Sequence, residues 1–208
     1  MTASPPITIL PSTPLVTAEQ FGRMPNDGTK TELVRGRIVR MPVPLPYHGF
    51  VCGRAFSYLD RYAEENQSGT AFSNDSGVIT ERDPDTVRGA DVSYYSFSRL
   101  PVGKIAQLEY YEVVPELVVE VRSPSDRWQK ILKKVSEYLS VGVSVVVVID
   151  PSSNSANVYR DEGSPQTFGP NDTLTIPDLL PGRQVLVAGG QAGLDGGFAP
   201  EGAATIAA

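Results

Sequence analysis

Pro115-Glu116-Leu117-Val118-Val119-Glu120-Val121-Arg122-Ser123-Pro124-Ser125-Asp126 is the stretch from which the rest of the chain can be read. Leu117 to Arg122 is valine-rich and follows a proline, which predicts a strand. Side chains alternate across a strand, so Leu117, Val119 and Val121 share one face, and Val118, Glu120 and Arg122 share the other. A carboxylate among such apolar neighbours is costly unless it is paired or binds a metal. Downstream, Trp128, Ile131, Leu132, Val135, Tyr138 and Leu139 recur at helical spacing within residues 126–141, and Gly142 is placed to end that helix. Val143 to Ile149 is a β-branched run that reads as a central strand buried on both faces. Residues 157–160 read as an edge strand after it.

Upstream, residues 71–80 and 89–95 are strand-like, and the second carries Asp91. If that strand approaches Leu117–Arg122, Asp91 and Glu120 converge as two carboxylates, the ligand type that hard divalent ions prefer. Residues 48–65 show helical spacing through Val51, Cys52, Ala55, Phe56, Leu59, Tyr62 and Ala63. Residues 32–40 read as a tight hairpin around Gly36, and Thr17 is placed to cap a short helix over 17–21. The order of hairpin, helix, strands, helix and strand predicts a mixed sheet with helices packed against it.

The 208 residues suffice for one domain with loose ends. A lone cysteine, Cys52, excludes an internal disulfide, and with a lone histidine it also excludes a classical four-ligand structural zinc site. No signal-peptide pattern opens the chain, and the apolar run at 145–149 is far too short to span a bilayer. The expectation is a soluble, cytoplasmic protein with no membrane partner. The net charge of −6 argues against DNA binding by bulk electrostatics, yet leaves room for a local basic rim or for a metal that supplies positive charge. Arg35, Arg37 and Arg40 on the hairpin are either a solvated face or a rim that tracks phosphates. Residues 1–16 are expected to be a flexible leader and the Gly/Ala-rich residues 188–208 a disordered tail, leaving 17–187 as the domain.

Taken in order, Arg88-Gly89-Ala90-Asp91-Val92, the stretch 115–126, Lys134-Val135-Ser136-Glu137-Tyr138, Gly142-Val143 and Ile149-Asp150-Pro151 resemble the Uma-type restriction endonuclease family of the PD-(D/E)XK nuclease superfamily. Glu32-Leu33-Val34-Arg35-Gly36 and His48 look like its opening motifs. The resemblance covers 17–187. It implies an α/β (α+β) fold, a restriction-endonuclease-like mixed β-sheet flanked by helices, and Mg²⁺- or Mn²⁺-dependent hydrolysis of phosphodiester bonds in DNA. Asp91 and Glu120 match the two metal-binding acids, Glu32 is a further candidate ligand, and His48 is a candidate catalytic residue.

Arg122 stands where the superfamily's pattern has lysine. Arginine is always protonated, so it can stabilise an anion but cannot act as a base. Lys134 lies at the margin of the helical stripe, about 40° from Tyr138 at roughly 100° per residue, and is the residue expected to reach the site instead. A catalytically silent nuclease-fold module that binds DNA or protein is the alternative, because fold alone does not choose between the two. A homodimer would suit cutting both strands of a duplex.

Overall fold

The computed structural model describes residues 14–25, 27–107, 109–188 and 203–207. Its elements run α1 (Ala18–Gly22), β1 (Thr31–Val34), β2 (Arg37–Arg40), α2 (Pro46–Asn66), β3 (Gly69–Glu81), β4 (Thr86–Ser96), β5 (Leu117–Val121), α3 (Trp128–Ser140), β6 (Val145–Asp150), β7 (Ser155–Tyr159), β8 (Gln166–Phe168), β9 (Thr173–Leu174), β10 (Gln184–Ala188) and β11 (Ala203–Ala207). Among the described residues an eight-stranded mixed sheet runs β2-β1-β4-β5-β6-β7-β8, with β3 also paired to β4. β5 and β6 are its parallel pair, joined through α3, since a parallel connection needs a crossover. The other pairs in this sheet are antiparallel. No helix among the described residues is long and apolar enough to cross a membrane.

Two apolar layers hold the sheet. On one face Val51, Ala55 and Leu59 of α2 pack on Leu117, Val119, Val121, Val145, Val147 and Ile149. On the other, Ile131, Val135 and Tyr138 of α3 pack on Val118, Val146 and Val148. The strand alternation expected of β5 is therefore observed, and β6 is buried on both faces. Each fully buried valine contributes roughly 1.5–3 kcal/mol, so these layers rather than surface ion pairs fix the sheet.

Local chemistry sets the boundaries. Thr17 and Gln20 form a reciprocal capping box at α1. Arg35 and Gly36, with φ of 48° and 71°, make the two-residue turn between β1 and β2, where positive φ at both positions matches the twist of the strands. The helix expected from Asp126 starts instead at Trp128. Asp126 accepts a hydrogen bond from the Ser123 N–H at 3.0 Å and so tightens the preceding turn, while Arg127 takes the N-cap position without a side-chain cap bond. Leu132, expected on the buried stripe, is 44% exposed.

Strands β8 to β11 were not anticipated. β9, β10 and β11 form a small separate sheet, and Leu174, Ile176, Leu180, Val185 and Val187 of this region close the core on the α2 side. β11 lies within the segment expected to be disordered and pairs in parallel with β10. Residues 1–13 of the expected leader and 189–202 and 208 of the expected tail lie outside the described residues. The leader's last residue, Val16, donates its N–H to the Gly36 carbonyl at 3.0 Å.

Candidate active site

The site begins with a gap in the sheet. One edge of β4 is paired with β3 along its length, and the other is shared by β1, which meets it at Val87, and β5, which meets it from Val92 to Tyr94. Between them, around Gly89 to Asp91, no strand among the described residues completes the ladder on that edge. Side-chain carboxylates act as acceptors there instead. Asp91 Oδ2 accepts the Val121 N–H at 2.7 Å, and Glu32 Oε1 accepts the Gly89 N–H at 3.4 Å. One step beyond the Val92–Val119 pair, the register sets Asp91 opposite Glu120.

Glu120 is buried on the α3 side of β5. Its Oε1 accepts from the Tyr138 hydroxyl at 2.8 Å and its Oε2 from Lys134 Nζ at 3.0 Å. Burial pushes this carboxyl up to about 7; Lys134 opposes the shift and Asp91 adds to it. Lys134 Nζ also lies 3.0 Å from Glu32 Oε1. Burial alone would lower the lysine pKa, but Glu120, Glu32 and Asp91 together hold it above its ordinary value. Its ammonium is charged at neutral pH and cannot serve as a base in this state.

Glu32 is held from both ends. Its other oxygen accepts from Arg88 Nη1 at 2.8 Å, and Arg88 in turn makes two bonds to Glu137, at 2.6 and 3.0 Å. Burial acts to raise the Glu32 carboxyl, yet Lys134 and Arg88 outweigh it and keep the group low and ionised.

Asp91 also reaches the α2 side. His48 Nε2 lies 3.4 Å from its Oδ2, and His48 Nδ1 lies 3.4 Å from Cys52 Sγ. Burial would raise Asp91, but the bond and charge of His48, the Val121 N–H and the Lys134 charge together outweigh it and the pKa is lowered. The same bond raises His48 against its burial. Burial first, then the charges of Asp91 and Asp75, push the Cys52 thiol far up.

Asp75 completes the group. It sits in an irregular part of β3 with Asn74, at φ of 62° and 55°, where the β3–β4 register shifts. Lys30 Nζ pairs with it at 2.8 Å. Burial and then Asp91 raise its carboxyl, while Lys30 opposes them. Gly89 is needed here, because a Cβ at that position would come within 2.9 Å of the Asp75 Cβ and 3.1 Å of its carbonyl oxygen.

Arg122 takes a different course. Its Nη1 contacts both Asp150 oxygens, at 3.1 and 3.0 Å, its Nη2 donates to the Asp126 carbonyl at 3.1 Å, and its guanidinium lies 5.3 Å from the Trp128 ring centroid. Five of the six residues singled out from sequence, Glu32, His48, Asp91, Glu120 and Lys134, are thus gathered around the gap, and Arg122 is tied into the turn that leads to α3. Sequence reading missed Asp75, Arg88, Cys52 and the Tyr138 hydroxyl as members of the group. Cys52 carried a signal, since it follows His48 by four residues on a helix. Asp75 carried none, because its position depends on a local break in strand geometry.

Carboxylates crowd the gap. Glu32, Asp75, Asp91 and Glu120 are met there by Lys30, Lys134, Arg88 and His48, and Arg88 is shared with Glu137. Burial chiefly, with the charge of Asp91 adding to it, keeps Glu120 and Asp75 raised, and a bound cation would oppose that shift. His48, Cys52 and Asp91 also offer ligand atoms that all lie within 4.8 Å of one another.

A family model described as "Uma2: Putative restriction endonuclease" matches residues 18–188. The chain belongs to the Uma2 family. The Uma2 match covers both the gap and the C-terminal strands that close the α2 side. Among solved structures, the fold is similar to that of a "putative nuclease belonging to DUF820" from Anabaena variabilis, with a TM-score of 0.72 and 20% identity, over 83% of this chain and 95% of that one. At that identity the likeness concerns the fold. No curated protein matches the sequence.

Proposed function

We propose that this chain is a metal-dependent endonuclease of the PD-(D/E)XK type that hydrolyses phosphodiester bonds in DNA. The observation that carries the reading is Asp91 set opposite Glu120 on adjacent strands, with the Lys134 ammonium 3.0 Å from Glu120. In this reading Asp91 and Glu120 hold a Mg²⁺ or Mn²⁺ ion. When bound, such an ion polarises the phosphoryl group and lowers the pKa of a coordinated water.

The chain's own residues do the rest. The Val121 N–H and His48 orient Asp91, and the Tyr138 hydroxyl orients Glu120. Lys134, charged and nearly dry, offers its ammonium to the anion that builds up on the phosphoryl oxygens, where a fixed cation acts strongly. Glu32, bound by Arg88 and Lys134, aims Lys134 and is a further candidate ligand. Arg122, bound to Asp150, braces the turn after β5 instead of replacing the strand lysine. Arg37 and Arg40 are exposed on edge strand β2, where they can track phosphates despite the acidic net charge. A two-fold pair of chains would suit cleavage of a duplex, and the single cysteine suits a reducing compartment such as the cytoplasm.

The net charge of −6 favours a second reading, a nuclease-fold module that binds without cutting. Incubation of supercoiled plasmid and short duplexes with the protein, with and without Mg²⁺ or Mn²⁺, separates the two. Cleavage that needs the ion and disappears in a folded Asp91→Asn variant supports the endonuclease. A folded wild type that neither cuts nor binds either ion by calorimetry leaves the binding module.

A further inference from the structure

Two faces of the sheet meet at Asp91, and the mechanism above uses little of the α2 side. His48 and Cys52 are four residues apart on α2, so both project from one side of that helix toward β4. His48 presents Nδ1 to Cys52 Sγ and Nε2 to Asp91 Oδ2, each at 3.4 Å. Donor atoms sharing one tetrahedral ion lie about 3.3–3.8 Å apart for bonds of about 2.0–2.3 Å. Only one ring nitrogen can bind the ion, so one of these contacts already has the separation of neighbouring ligands, and one ligand atom from each of the three residues lies within 4.8 Å of the others.

We infer that His48, Cys52 and Asp91 form a nitrogen–sulfur–oxygen site on the α2 side that takes a borderline divalent ion of the Zn²⁺ or Co²⁺ class in preference to Mg²⁺. The inference rests on the proposed function only in taking Asp91 as a metal ligand. A thiolate and an imidazole select borderline and soft ions, whereas Mg²⁺ seeks oxygen alone. Three protein ligands leave a fourth tetrahedral position for water, as in catalytic rather than structural zinc sites. The exclusion of a four-ligand Cys/His site from composition does not touch this arrangement, since a carboxylate replaces the missing ligands. Binding takes one imidazole nitrogen from its present hydrogen bond and releases the Cys52 proton to solvent, because the thiolate is the ligand. Asp91 stands between this position and the one at Glu120, so it can serve both.

Co²⁺ reports its own ligands. Titration of the full chain with Co²⁺, followed by absorption and calorimetry, should give intense visible bands of a tetrahedral ion together with a near-ultraviolet thiolate-to-cobalt band. A hundredfold excess of Mg²⁺ should leave both in place. Cys52→Ser, shown folded by circular dichroism, should lose the ultraviolet band and bind Co²⁺ about 100-fold or more weakly, a loss at least as large as that for a second-shell change. His48→Gln should weaken binding to a similar degree while Cys52 remains free to react with a thiol reagent. Co²⁺ binding without a thiolate band, or equal affinity in Cys52→Ser, overturns the site even if Mg²⁺-dependent cleavage is found. A thiolate band in a protein that cuts nothing upholds the site and removes the endonuclease reading instead.

Discussion

Glu120 and Arg122 lie two residues apart, one in β5 and one just past its end, and have opposite fates. Glu120 is buried at the gap between β1 and β5, where burial raises its pKa and Lys134 and Tyr138 only partly offset the shift. Arg122 lies just past the end of β5, where Asp150, the Asp126 carbonyl and the Trp128 ring receive it. The first group is held in a state that strains its ionisation. The second is in an ion pair with Asp150. Alternation along a strand thus fixes which face a side chain takes, and its partners across the sheet decide whether it can do chemistry.

The contrast is broken most severely at Lys134. Lys134→Met removes a buried cation from two carboxylates, so stability should fall by about 3–5 kcal/mol in urea denaturation, and cleavage by the folded fraction should fall by about 10²–10³. Retained metal-dependent cleavage in that variant would remove Lys134 from the mechanism. Glu120→Gln should separate the two effects. Cleavage should drop by about 10²–10³, while thermal unfolding should shift little or upward, because an amide escapes the burial cost of a carboxylate. Arg122→Ala should do the reverse. It leaves Asp150 without its partner and should cost about 1–3 kcal/mol of stability, with cleavage by the folded protein within a few-fold of wild type. A loss of cleavage as deep as that of Glu120→Gln, without loss of stability, would return Arg122 to the site.

The smallest effect is a slope. Burial pushes Glu120 up to about 7 in the folded chain, against its ordinary value of 4.5 when unfolded. Between those values the folded state holds more protons, so this group makes stability fall as pH rises through the window. The same proton competes with a cation, so Mn²⁺ affinity should rise with pH up to about 7 and level off above it. Denaturation and calorimetry at several pH values test both signs, and Glu120→Gln should flatten both curves.

Much of the arrangement was legible before the structure. The β5 alternation, the hairpin turn at Arg35-Gly36 and the valine run of β6 obey short-range rules, and the residues at the gap fall on those elements. Lys134 could be placed from helical angle alone, since its stripe faces β5. The unread parts depend on distance or on irregularity. β8 to β10 are short strands whose burial comes from long-range packing on the α2 side. Asp75 enters the site through two left-handed residues in β3, a break that the strand-like pattern there concealed. Tyr138 read as core and is core, but its hydroxyl ends on Glu120.

The missing rung between β1 and β5 bears on how related chains should be judged. Because the Asp91 carboxylate stands in for a backbone acceptor at Val121, a descendant that had abandoned cleavage would still keep the aspartate for the sake of its sheet. Its persistence is therefore a poor badge of activity. Glu120 is the opposite: Lys134 keeps a partner in Glu32 without it, and the fold gains by its neutralisation. If the proposed function holds, a lineage freed from cleavage would be expected to shed that glutamate first, and its presence or absence is the better sign of activity among Uma2 chains.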